Sequence, residues 1–240
     1  MEKVVYRVRR FDGQKAFWQE YAFDHEANKT VLWGLQKIKE TIDPSLAFVA
    51  ACRSAVCGAC AVRVNGEAML ACETPLDGLL GRFGHTLVLE PLGNFPVLRD
   101  LVVDWEPKAA RLAEAKPWLM PRAEFTAATG CRQTQAEAKR INAQTNCIFC
   151  GACASECNKL SVGDDDFYEP FVYTKAGKFV ADSRDGAAGE HLRPVLERGL
   201  WKCVHCQECV TKCPKRVAPA EDIAALRRAS IGAGLTDNPG

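Results

Sequence analysis

Cys147-Ile148-Phe149-Cys150-Gly151-Ala152-Cys153-Ala154-Ser155-Glu156-Cys157 sets four thiols in one short run, spaced C-x2-C-x2-C-x3-C. The same spacing returns in Cys203-Val204-His205-Cys206-Gln207-Glu208-Cys209-Val210-Thr211-Lys212-Cys213-Pro214, there with a trailing proline. A third group, Cys52-Arg53-Ser54-Ala55-Val56-Cys57-Gly58-Ala59-Cys60, is spaced C-x4-C-x2-C and is followed by Cys72. Of thirteen cysteines in 240 residues, only Cys131 stands outside these groups. So many thiols mean disulfides in a secreted chain or metal in a reducing compartment. The stretch Met1-Glu2-Lys3-Val4-Val5-Tyr6-Arg7 has neither the apolar region of a secretory signal nor an Arg- and Ser-rich import leader. A reducing, cytoplasmic setting is expected, and metal rather than disulfides.

The spacings say which metal. C-x2-C-x2-C-x3-C, twice, is the two-cluster bacterial ferredoxin pattern, in which the fourth cysteine of each run ligates the other cluster. One [4Fe–4S] centre is therefore expected on Cys147, Cys150, Cys153 and Cys213. A third cluster is expected on Cys203, Cys206, Cys209 and Cys157, again [4Fe–4S]. The C-x4-C-x2-C…C group is that of a plant-type [2Fe–2S] site, with Cys52, Cys57, Cys60 and Cys72 as ligands. Ser54, Ala55, Gly58 and Ala59 are small enough for a loop wrapped tightly on a cluster, and Gly58 can take the positive φ that turns N–H groups inward. The competing reading is structural zinc, which favours paired C-x2-C hooks; only Cys57 and Cys60 make one in this group.

Outward from the cysteines, the fold class reads as α+β in two domains. Val4, Tyr6 and Val8 alternate with Val5, Arg7 and Arg9 as a half-buried strand, and Phe17 to Phe23 forms a second. Val31, Leu32, Leu35 and Ile38 share one face of a helix that Asp43-Pro44 ends. Asn65-Gly66 joins a hairpin of Ala61–Val64 and Ala68–Ala71, and Thr86 to Glu90 adds a strand. A mostly antiparallel sheet crossed by one helix, resembling the β-grasp fold of plant-type ferredoxins, is expected over residues 1–104. Residues 105–240 read as an α-helical, two-cluster bacterial-ferredoxin-like domain. Its helices are expected at Glu106–Ala115, Gln135–Gln144 and Glu221–Arg228, rich in Ala, Glu, Lys and Arg.

Composition narrows the function. The net charge of +1 offers no surplus of clustered cations for nucleic acid. No apolar run approaches the roughly 18 residues of a spanning helix, so membrane contact must pass through another subunit. There is no G-x-G-x-x-G, no P-loop and no H-E-x-x-H, and no substrate-handling constellation. Clusters without catalytic residues mean electron transfer, with any flavin on a separate chain.

These motifs and their flanks resemble the iron–sulfur subunit of succinate dehydrogenase and fumarate reductase. The likeness includes Leu35-Gln36-Lys37-Ile38-Lys39, Cys52-Arg53 with Cys57-Gly58-Ala59-Cys60, Leu70-Ala71-Cys72 and Pro91-Leu92. It continues through Leu98-Arg99-Asp100-Leu101-Val102-Val103-Asp104, Asp182-Ser183-Arg184-Asp185 and Cys213-Pro214-Lys215. The resemblance implies electron transfer between FAD on a flavoprotein subunit and a quinone at a membrane anchor, at the cytoplasmic face of the membrane. The order it implies is [2Fe–2S], then the middle [4Fe–4S], then the third cluster. In most of the family that third cluster is [3Fe–4S], because the position of Cys206 is not cysteine. This chain also has Asn158-Lys159-Leu160-Ser161 where the family has a proline and, nearby, a quinone-binding tryptophan. Val204 stands where a histidine usually follows the first cysteine. These departures resemble variant members with a different anchor. The same module serving another flavoenzyme, such as a thiol-coupled fumarate reductase, and more distantly a zinc-stabilised binding module, are the alternatives.

Other residues read plainly. His205, between two ligands, is a tuning group or an exposed loop histidine. Cys131 is a spare thiol; His25, His85 and His191 are surface or packing residues. Asp164-Asp165-Asp166 is a solvated loop. Arg7, Arg9 and Arg10 are taken as an exposed strand face, and the five tryptophans as core or interface residues.

Overall fold

The computed structural model describes residues 3–235. Met1 and Glu2, where the reading of the amino terminus begins, lie outside the described residues. The chain divides into two compact units. One comprises Met1–Trp105 with Ile148–Glu156, the other Glu106–Cys147 with Cys157–Gly240.

In the first unit, β1 (Lys3–Phe11), β2 (Ala16–Asp24), β3 (Ala61–Val64), β4 (Glu67–Leu70) and β5 (Thr86–Glu90) form a sheet in the order β2-β1-β5-β3-β4. All its pairs are antiparallel except β1 with β5, which run parallel. Val4, Tyr6 and Val8 of β1 and Leu87 and Leu89 of β5 face the core without solvent exposure. Helix α1 (Val31–Thr41) lays Val31, Leu35 and Ile38 on that face, and Thr30 caps it by accepting from Trp33 N. Gly34 is needed there, since a Cβ would lie 2.5 Å from the Tyr6 hydroxyl. The Asn65-Gly66 turn takes φ of 48° and 82°, both positive as a two-residue hairpin requires. Two features go beyond the single crossing helix expected: α2 (Leu76–Phe83), and a small hairpin of β6 (Val97–Arg99) and β7 (Val102–Val103). The first was hidden because eight residues give too little periodicity, and Gly78 and Gly81 weaken the helical signal.

The second unit is helical: α3 (Glu106–Glu114), α4 (Gln135–Thr145), α5 (Pro170–Ala181), α6 (Ala188–Glu197) and α7 (Pro219–Gly232), with single turns at Asn158–Ser161 and Glu208–Thr211. Thr134 and Glu137 form a reciprocal capping box at the start of α4. Helices α5 and α6 were not expected from sequence. α5 is buried nearly all round from Pro170 to Ala176, so no polar face marks its period. α6 carries Pro194 inside it, which reads as a breaker. The buried Glu169 ahead of α5 pairs with Lys108 Nζ at 2.8 Å and Arg111 Nε at 3.4 Å, tying α3 to it. Among the described residues no helix is long and apolar enough to cross a membrane.

Candidate cluster sites

Cys52, Cys57, Cys60 and Cys72 are not joined in disulfides. The loop between α1 and β3 turns its amides onto two of them. Ser54, Val56 and Cys57 N–H donate to Cys52 Sγ at 3.3–3.4 Å, and Ala55 N–H donates to Cys72 Sγ at 3.3 Å. Donors from Ser54, Cys57 and Val56 pull the Cys52 thiol down to about 6, the behaviour of a site built for thiolate. Arg53 and Ala55, as well as Gly58, have positive φ (57°, 58° and 75°), so the curl is held by strained non-glycine residues too. Only Gly58 was expected from sequence. It also lies so close to the 148–156 segment that a Cβ would stand 2.9 Å from Cys150 Cα. Cys60 is buried, which pushes its thiol up to about 12, and Ala71 N–H donates to Cys60 O across the β3–β4 hairpin next to Cys72. Backbone donors aimed at sulfur from a tight loop fit a cluster held by Cys52, Cys57, Cys60 and Cys72.

What anchors this loop was misread in the sequence. Arg10 is buried, not part of an exposed face. Its guanidinium donates to Asp100 Oδ1 at 2.8 Å, Asp43 Oδ2 at 2.7 Å, Gln19 Oε1 at 2.9 Å, Ser45 Oγ at 3.0 Å and the Tyr21 hydroxyl. Asp100 also accepts from Phe11 N and Ala47 N, so β1, the run into the cysteine loop and the turn after β6 share one buried ion network. Arg7 and Arg9 are exposed as read; Arg7 lies over Trp18 and Arg9 pairs with Glu90.

In the second group, Cys150 and Cys153 are buried on the segment of the first unit, Ile148–Glu156. Asn94 Nδ2 donates to Ala154 O at 2.8 Å and Ser155 O at 3.0 Å, Gly93 N donates to Ser155 Oγ at 2.9 Å, and Arg63 pairs with Glu156 at 2.9 Å. Gly151 fits against Trp105 and Phe95, where a Cβ would come within 3.0 Å of both rings. Cys147 and Cys213 belong to the second unit and are half-buried. Val217 N donates to Cys213 Sγ at 3.3 Å.

The third site lies wholly in the second unit. Cys157, Cys203, Cys206 and Cys209 line one cavity, together with Lys159, His205, Gln207 and the apolar Phe167, Pro170, Val204, Ala220 and Ile223. Burial pushes the Cys209 thiol up to about 12, and the charges of Cys157, Cys203 and Cys206 push it the same way. Cys157 is raised by burial and by Cys206 and Cys203. Thiols that feel one another around an otherwise mostly apolar cavity fit a shared anionic cluster. His205 lines this cavity, half-buried, while Val204 is exposed.

The two runs repeat in backbone as well as in spacing. The second residue after the first cysteine is left-handed in both (Phe149, 54°; His205, 53°), as is the fourth (Gly151, 82°; Gln207, 67°). Each then enters one helical turn, Ala152–Ser155 and Glu208–Thr211. Among the described residues no three His, Cys, Asp or Glu side chains are grouped as a single metal ion requires.

Residues outside the cysteine groups have structural partners. His191 is fully buried, its Nε2 3.0 Å from Asp185 Oδ2, and Asp182 pairs with Arg184 at 2.6 Å, so the Asp182–Asp185 motif serves packing. Asp164 accepts ion pairs from Lys159 and Lys202. Cys131 sits in an open pocket with Arg122, Arg132 and Arg184.

Comparison with known proteins agrees with this layout. A family of 2Fe-2S iron-sulfur cluster binding domains matches residues 4–109, and one of 4Fe-4S dicluster domains matches residues 143–217. The 8-methylmenaquinol:fumarate reductase iron-sulfur subunit of Wolinella succinogenes is 48% identical over 238 residues, 97% of this chain and 74% of that protein. The fumarate reductase iron-sulfur subunit of Mycobacterium tuberculosis is 37% identical, over 92% of this chain and 90% of its own length. Among solved structures, a chain of the Mycobacterium smegmatis Sdh1 complex in the apo form superposes with a TM-score of 0.86 over 99% of both chains, at 23% identity, which speaks for the fold.

Proposed function

Because this chain belongs to the iron–sulfur subunits of succinate dehydrogenases and fumarate reductases, we propose that its three cysteine groups form one relay between a flavin and a quinone-linked membrane acceptor. It is the electron-transfer subunit of such an oxidoreductase complex, with FAD on the flavoprotein partner and a membrane anchor as the other partner. When bound, iron–sulfur clusters supply one-electron carriers that match a two-electron flavin to the acceptor. The chain's own residues hold them, turn amides toward sulfur and keep water from the buried thiols.

In this reading Cys52, Cys57, Cys60 and Cys72 hold [2Fe–2S] in a domain spanning 1–104. Cys147, Cys150, Cys153 and Cys213 hold one [4Fe–4S], and Cys157, Cys203, Cys206 and Cys209 the other, both in the sequence span 105–240. The convergence of the last four thiols on one cavity carries the reading, because four donors suit [4Fe–4S] where three would suit [3Fe–4S]. The relative named for 8-methylmenaquinol and fumarate favours a quinol-linked complex over a thiol-coupled one. Twelve cysteines in cluster-type spacings favour a reducing compartment, hence the cytoplasmic face of the membrane.

Cys206→Ser tests the assignment. The oxidised variant is expected to gain the EPR signal of a [3Fe–4S] centre that the wild type lacks, with the [2Fe–2S] signal unchanged. A [3Fe–4S] signal already present at full intensity in the wild type would refute the four-thiol assignment.

A further inference from the structure

Two cations in the second unit occupy equivalent places, one for each cysteine run. Lys175 of α5 is buried, and its Nζ donates to Gln144 O at 3.3 Å and Cys147 O at 3.5 Å. Arg227 of α7 donates to Leu200 O at 2.9 and 3.1 Å and to Cys203 O at 2.9 Å. Cys147 and Cys203 are the first cysteines of the two runs, and Gln144 and Leu200 each lie three residues before them. A cation at a helix end ordinarily serves the last carbonyls, and that accounts for Gln144 at the end of α4. It does not account for both cations reaching the carbonyl of a ligand as well, from different helices and with different side chains.

We propose that Lys175 and Arg227 are positioning residues that hold a positive charge against the backbone carbonyl of the first ligand of each [4Fe–4S] centre and so set its reduction potential. The inference rests on the ligand reading above. A one-electron reduction adds a negative charge to the centre, and a fixed cation nearby favours that state over the oxidised one. Two independent cations let the two centres be set separately, which a relay needs if its steps are to have different driving forces. The guanidinium also lies 5.4 Å over the Trp201 ring, which fixes its orientation.

The test is a redox titration of the purified complex followed by EPR, in wild type and in Lys175→Gln, Lys175→Arg, Arg227→Gln and Arg227→Lys. Glutamine keeps a donor and removes the charge. Lys175→Gln is expected to make one [4Fe–4S] centre roughly tenfold harder to reduce, a shift of about 59 mV for one electron, and to leave the other in place. Arg227→Gln is expected to shift the other centre alone, and the charge-conserving variants to keep wild-type midpoints. Unchanged midpoints in both glutamine variants overturn the proposal, as does loss of the centres in the arginine and lysine variants together with the glutamine ones, which would leave only a packing role. A wild type without two [4Fe–4S] signals would instead overturn the ligand assignment, and this inference with it.

Discussion

Arg10 ties β1 to Asp43 ahead of the cysteine loop and to Asp100 after β6. Its position was within reach of the sequence: Val4, Tyr6 and Val8 alternate inward, so the next residue in phase is Arg10, and it too points in. Reading it with Arg7 and Arg9 by charge broke that phase. A charge there needs buried acids, and Asp43 and Asp100 supply them from distant sequence, which local pattern cannot reveal. Arg10→Met leaves Asp100 buried without its cation, held only by the Phe11 and Ala47 amides. It is expected to destabilise the protein by about 3–5 kcal/mol and to reduce [2Fe–2S] content before the other centres, as read by denaturant unfolding and EPR spin counting. The cysteines, by contrast, were legible because cluster geometry dictates their spacing directly. Their backbone was only half legible: positive φ at Gly58 was expected, while the same conformation at Arg53 and Ala55 has no residue-type signal.

Among the elements, amphipathic and strand-forming segments announced themselves and buried ones did not. β1 to β5 and α1 follow from alternation and period, and α4 and α7 from composition. α5 was hidden because it is the centre of the second unit, packed against both α6 and α7. Thr174 of α5 donates to Asp222 Oδ2 at 2.8 Å, and Gln144 of α4 donates to Oδ1 at 2.7 Å, so one buried carboxyl of α7 joins three helices. Burial pushes Asp222 up to about 6, outweighing those two donors. Its folded pKa thus exceeds the unfolded value of about 3.9, and the folded state binds the extra proton. The stability from this group is full below about pH 4 and is lost as pH rises through about 6. The apparent melting temperature of the complex is expected to carry a component that falls between about pH 4 and 6. Asp222→Asn should remove that component, and a profile identical to wild type would rule out this role.

For the whole molecule, the ferredoxin-like half and the two-cluster half were legible in the cysteine spacings. Those spacings did not give the membership of Ile148–Glu156 in the first compact unit, because Asn94, Gly93 and Arg63 hold that segment from more than fifty residues away. The repeated left-handed positions of the two cysteine runs, and the paired cations Lys175 and Arg227, likewise emerge only in three dimensions. Function at this scale is transfer between partners, so the decisive observation must include them. Purified anaerobically as the native complex, the protein should develop a [2Fe–2S] EPR signal when succinate is added, because electrons from the flavin reach this chain. Clusters that dithionite reduces, but that neither succinate reduces nor fumarate reoxidises, would contradict the account.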